Sequence, residues 1–170
     1  MGLLEILGVK KGDGKHEELG ELHRIVEEIL GDQPEEKIKL VTGYAGVLGK
    51  VSYADMKMSQ VELDRIEVLL KERLGLDGED AARIVRVMDT DRVTLYSVED
   101  HLYTRLLNDV LSHGEKLDLL TALFAVAAAN DAISNLEDNT IRVISKGLLL
   151  SHKEFIDARL KYRDHLEVLM

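Results

Sequence analysis

The chain has 170 residues and a net charge of −10, enough length for one domain with a buried core. It has no cysteine, which excludes thiol catalysis, thiolate metal sites and disulfides. The acidic balance opposes a nucleic-acid-binding surface, and Lys10-Lys11 and Arg159–Arg163 are too small to count as basic patches.

Aromatic residues are scarce and Trp is absent, so the core must be aliphatic. A single Pro permits long helices, and few stretches alternate with the two-residue period of a strand. The expectation is an all-α bundle of about eight helices.

Residues 1–16 read as an N-terminal apolar segment, Leu3, Leu4, Ile6 and Leu7, followed by a flexible link around Gly12 and Gly14. The segment lacks a basic leader and Glu5 interrupts it, so it is not expected to be a signal peptide. Docking onto the domain is the expected fate of such a terminus. Residues 17–170 then form a single all-helical domain. Its longest apolar run, Ala122–Ala129, is too short to span a bilayer.

Apolar residues recur at helical spacing from Leu19 to Leu30, and Gly31 is the expected stop. Asp32, Pro34 and Glu35 then read as a helix start, with Asp32 as the N-cap. The helix that follows is expected to reach about Ala54. It carries Gly43, Gly46 and Gly49, each costing about 1 kcal/mol in helix propensity relative to Ala. Three such costs on one side predict the close approach of another backbone.

Ser59-Gln-Val-Glu62 is a capping box for a helix that ends at Gly75. Asp77 caps the next helix, Asp89–Thr94 is read as a turn, and Ser97 is read as the cap of a helix bearing Leu102, Leu106 and Val110. Ser112/Glu115, Ser134/Glu137 and Ser151/Glu154 are three more capping boxes. The helix after Ser112 is apolar or small nearly all round from Leu119 to Ala129 and is assigned to the interior.

A shift of 75 residues superposes 48–71 on 123–146 with eight identities in 24 positions, against about two expected by chance. The pairs include Ser59/Ser134, Glu62/Glu137, Ile66/Ile141, Val68/Val143 and Lys71/Lys146. The expected architecture is two pseudo-repeated helical hairpins, near 37–75 and 117–150. Their first helices, one rich in Gly and one in Ala, are predicted to cross at the centre.

At the loop Ala54-Asp-Met-Lys-Met-Ser-Gln-Val-Glu62 and its second copy, the chain resembles the tellurite resistance protein TerB-like family. Members carry Ala-Asp-Gly-x-Ile-Ser-x-x-Glu at this turn, often twice. Leu102–Asn108, Lys116–Ala129 and Leu150–Leu160 are similar to an uncharacterised bacterial branch with two TerB-like repeats. The resemblance implies a TerB-like helical bundle and a cytoplasmic, stress-linked setting. It also implies a scaffolding role near a membrane, with an acidic surface able to take calcium. Here Met56 stands where the motif has Gly, and Asn130-Asp131 stand where it has Asp-Gly.

For function, no His-x-x-x-His, Glu-x-x-His, Gly-x-Ser-x-Gly or Ser/His/Asp pattern occurs, so no enzyme is expected. The six His are read as solvent-exposed or near helix caps. Oxygen ligands for a metal are offered only by the repeat loops: Asp55 and Glu62 in the first, Asn130, Asp131 and Glu137 in the second. The capping boxes account for both glutamates without a metal, and calcium wants six to eight oxygens. No cofactor is therefore expected, calcium being the one alternative.

The expectation is a non-catalytic module that binds a protein partner, not a nucleic acid. Peripheral membrane association and a homodimer are both compatible with it.

Overall fold

The computed structural model describes residues 14–96 and 101–169. Helices α1 (Gly14–Leu30), α2 (Glu35–Ser52), α3 (Gln60–Leu74), α4 (Gly78–Thr90) and α5 (Arg92–Tyr96) are followed by α6 (His101–Val110) and α7 (His113–Ala127). A 3₁₀ turn, Ala128–Asn130, leads to α8 (Asn135–Gly147) and α9 (His152–Leu160), and two further 3₁₀ turns end the chain. The all-α class is as expected. The apolar N-terminal segment up to residue 13 and the Ser97 cap lie outside the described residues.

Helix α2 is the axis. Every residue from Val41 to Ser52 is buried, and α1 and α3 to α8 all pack against it. The sequence nominated α7 as the fully interior helix. Helix α7 is indeed buried through Leu119, Leu120, Leu123, Phe124 and Val126, but Thr121 and Ala125 are only half-buried.

Helices α2 and α7 do pack together, yet the glycine stripe serves another neighbour. A Cβ on Gly43 would lie 2.4 Å from Leu107, one on Gly46 2.2 Å from the Tyr103 ring, and one on Gly49 2.0 Å from the Tyr96 ring. The stripe is thus a trough for side chains of α5 and α6, not a seam where two backbones touch. Tyr103 and Tyr96 carry hydroxyls into this trough and donate them to the carbonyls of Leu95 (2.7 Å) and Ala45 (3.4 Å). Each buried polar end is thereby satisfied.

Local expectations fail in four places, each for a physical reason. Pro34, not Asp32, is the N-cap of α2. Its extended ψ of 148° turns its carbonyl to accept from Lys37 and Ile38 N–H, leaving Asp32 exposed two residues too early. Gly20 breaks α1 with φ 83°, and a Cβ there would meet Leu102 at 2.8 Å. Most of Asp89–Thr94 is helical, because α4 continues to Thr90 and α5 restarts at Arg92. His23, expected to be solvated, is buried on the inner side of α1.

Gly75 does end α3 in the left-handed conformation, φ 65°. Helices α8 and α9 are clamped by Arg159, whose Nε and Nη2 each donate to Asp138 at 2.9 Å. Arg159 and Asp138 are both largely buried, the setting in which a bidentate pair holds geometry best.

Candidate functional site

Two loops sit at corresponding points of the chain, 53–59 before α3 and 128–134 before α8. Each contains a non-glycine residue in the left-handed region, Met56 (φ 62°) and Asp131 (φ 78°), and these are 75 residues apart. A left-handed turn there is what a glycine would adopt most readily, so Met56 and Asp131 hold strained positions.

Both turns end in the expected capping boxes. Ser59 N–H donates to Glu62 Oε2 at 2.8 Å and Glu62 N–H to Ser59 Oγ at 3.3 Å. Ser134 N–H donates to Glu137 Oε2 at 2.7 Å and Glu137 N–H to Ser134 Oγ at 3.1 Å. The boxes at Ser112 and Ser151 have the same pattern on the surface, where the cap N–H bonds hold Glu115 and Glu154 below the usual carboxylate range.

Glu62 and Glu137 differ from those two. They are 1% and 2% exposed, and Glu62 is close enough to Glu137 to disfavour its charge. Burial pushes Glu137 up to about 8. The contact with Glu62 adds to the rise, and the Ser134 cap opposes it. Glu62 Oε1 is buried and meets no hydrogen-bond partner among the described residues. Burial therefore favours the protonated, uncharged form of Glu137.

The sequence signal for this pairing was present. Glu62 stands one turn before Ile66 and two before Leu69, and Glu137 likewise before Ile141 and Ile144, all of them buried. Each glutamate therefore heads an apolar stripe on the inner face of its helix.

The remaining candidate ligands are not drawn to this pair. Asp55 Oδ1 accepts from Lys57 N–H at 3.0 Å, closing its own turn. The Asn130 amide nitrogen faces the carbonyls of Ala127 and Ala132, and Asp131 is exposed. The C-terminal tail clasps the second loop. Ile133 N–H donates to His165 C=O at 2.6 Å, and Glu167 N–H donates back to Ile133 C=O at 3.0 Å.

Among the described residues, no three His, Asp or Glu side chains are grouped to hold a metal. The two glutamates offer calcium one uncommitted oxygen each, since both Oε2 atoms are held by caps. That falls well short of six, and the donor set does not fit this ion.

Beside the first loop lies an open groove of about 510 Å³. Val61, Asp64, Arg65 and Val68 of α3 form one wall, and Ala125, Ala129 and Tyr162 form the other. Val61 is 53% exposed. Tyr162 is held in place by stacking on Phe124, with ring centroids 5.8 Å apart at 15°. Among the described residues, no helix is long and apolar enough to cross a membrane.

A family model described as Tellurite resistance protein TerB matches residues 41–160. Neither the curated proteins nor the solved structures gave a match.

Proposed function

The chain belongs to the tellurite resistance protein TerB family, and from that premise we propose that it is a non-catalytic helical module that docks a protein partner. The setting is a cytoplasmic face of a bacterial stress- or envelope-associated complex. The observation that carries this reading is the groove between α3 and the end of α7. Its walls are mainly apolar and small, its charged residues Asp64 and Arg65 are of opposite sign, and Val61 stands exposed in it. Apolar side chains exposed on a rigid, mixed-charge rim are what a protein surface buries on association. The buried glutamate pair is structural in this reading, joining the starts of α3 and α8.

A photo-crosslinking residue at Val61 in the cell is expected to trap a discrete protein adduct that the same residue at exposed Glu72, on the far end of α3, does not. Equal or absent trapping at the two positions would overturn the proposal. Calcium has no part in this function. Millimolar calcium is expected to leave the melting temperature of the intact chain unchanged, because only an ion bound by the folded state raises it.

A further inference from the structure

The second copy of the 75-residue pattern departs from the first at one face. Glu67 and Lys71 form an i,i+4 ion pair of 3.0 Å on α3. The corresponding residues on α8 are Arg142 and Lys146, two cations at the same spacing. Leu70, fully buried, corresponds to Ser145, and the capping acid Asp77 corresponds to His152. Three positions that are acidic or apolar in the first copy are thus cationic or polar in the second.

These residues meet. Arg142, Ser145, Lys146, Leu150, Ser151, His152 and Phe155 line one pocket of about 340 Å³ between α8 and the start of α9. The Phe155 ring holds one cation and one imidazole. The Arg142 guanidinium carbon lies 5.6 Å from its centroid, and the His152 ring stacks on it at 6.2 Å.

Like charges at i,i+4 repel on a helix, and no carboxylate relieves them. Among the described residues, Arg142, Lys146 and His152 have no acidic partner. The neighbouring acids are engaged elsewhere: Glu154 binds Ser151 N–H (2.7 Å) and faces His113 Nε2 (2.5 Å), and Asp138 binds Arg159. In a chain of net charge −10 this is an isolated electropositive concavity.

A further observation is independent of charge. Ser145 is 2% exposed as a residue and lines the pocket. A serine hydroxyl in a pocket lined by Arg142 and Lys146 is a donor suited to an anion. The first turn of α9, whose N–H groups favour negative charge, borders the same space.

We propose that this pocket binds a phosphate dianion, free or as the monoester of a small molecule. Arg142 and Lys146 supply charge, Ser145 and His152 supply hydrogen bonds, and Phe155 supplies a flat apolar wall. The volume matches roughly ten water molecules in the liquid, more than a bare tetrahedral anion fills, so the monoester is the better fit.

The test is calorimetric titration of the full chain with inorganic phosphate, glycerol 3-phosphate and sodium chloride at constant ionic strength. Saturable binding of either phosphate, absent with chloride, is expected, and tighter binding of the monoester identifies it as the preferred form. Arg142→Glu re-creates the Glu67/Lys71 pairing, so it is expected to melt no lower than the parent chain while losing at least tenfold in affinity. Ser145→Ala, which removes only the hydroxyl, is expected to lose affinity severalfold. No saturable binding of either phosphate would overturn the proposal, and so would a folded Arg142→Glu variant that binds as the parent does.

Discussion

Glu62 and Glu137 show how one residue type in one local motif takes two characters. Four Ser-x-x-Glu boxes cap helices here. The two surface glutamates are held low by their cap N–H bonds, and burial drives Glu137 the other way, to about 8. The consequence for stability has a definite sign. A carboxyl whose folded pKa is raised binds its proton more tightly when folded, so its contribution is intact below the unfolded value near 4.5. That contribution is lost as pH rises toward about 8. The limiting slope for one proton is about 1.4 kcal/mol per pH unit.

Glu137→Gln keeps an oxygen for Ser134 N–H and has no charge to bury. Denaturant unfolding of this variant, measured from pH 5 to 8.5, is expected to lack the fall expected of the parent chain. It should therefore be the more stable of the two at pH 8. Parallel profiles for the two chains would show that Glu137 does not hold its proton more tightly when folded.

At the scale of the element, α2 shows what glycine in a helix can be for. Three glycines weaken its propensity by about 1 kcal/mol each, and the trough they leave admits Tyr96, Tyr103 and Leu107. Burying two tyrosines and a leucine against bare backbone outweighs that cost, since each such side chain contributes roughly 1.5–3 kcal/mol. Gly46→Ala would place a methyl 2.2 Å from Tyr103 Cγ. Overpacking of this kind is expected to cost at least 1–3 kcal/mol, read as a lower denaturation midpoint. Gly114→Ala, which meets nothing within 4 Å, is the control and is expected to be neutral or slightly stabilising.

The whole molecule is arranged around this helix, because α2 is the element that α1 and α3 to α8 share. Opening any of them leaves α2 covered by the rest, so its amides can exchange only when the whole fold opens. Hydrogen exchange is expected to be slowest from Val41 to Val51 and faster in α9, which packs on α7 and α8 only at the margin of the bundle. Slower exchange in α9 than in α2 would show that the core is centred elsewhere.

Read by itself, the amino-acid order determined the helical class, the four capping boxes, the Gly75 stop and the 75-residue correspondence. All of these depend on contacts within a few residues, or on identities visible in the chain. It also placed Glu62 and Glu137 at equivalent points and read them as caps, which they are. Tertiary structure alone decided that these two carboxyls would face each other, because propensity says nothing of which helix starts meet. It likewise decided that tyrosines, not a second backbone, would fill the glycine trough. Helical spacing alone sets Arg142, Ser145 and Lys146 on one side of α8, and it took the turn between α8 and α9 to bring His152 and Phe155 to the same pocket.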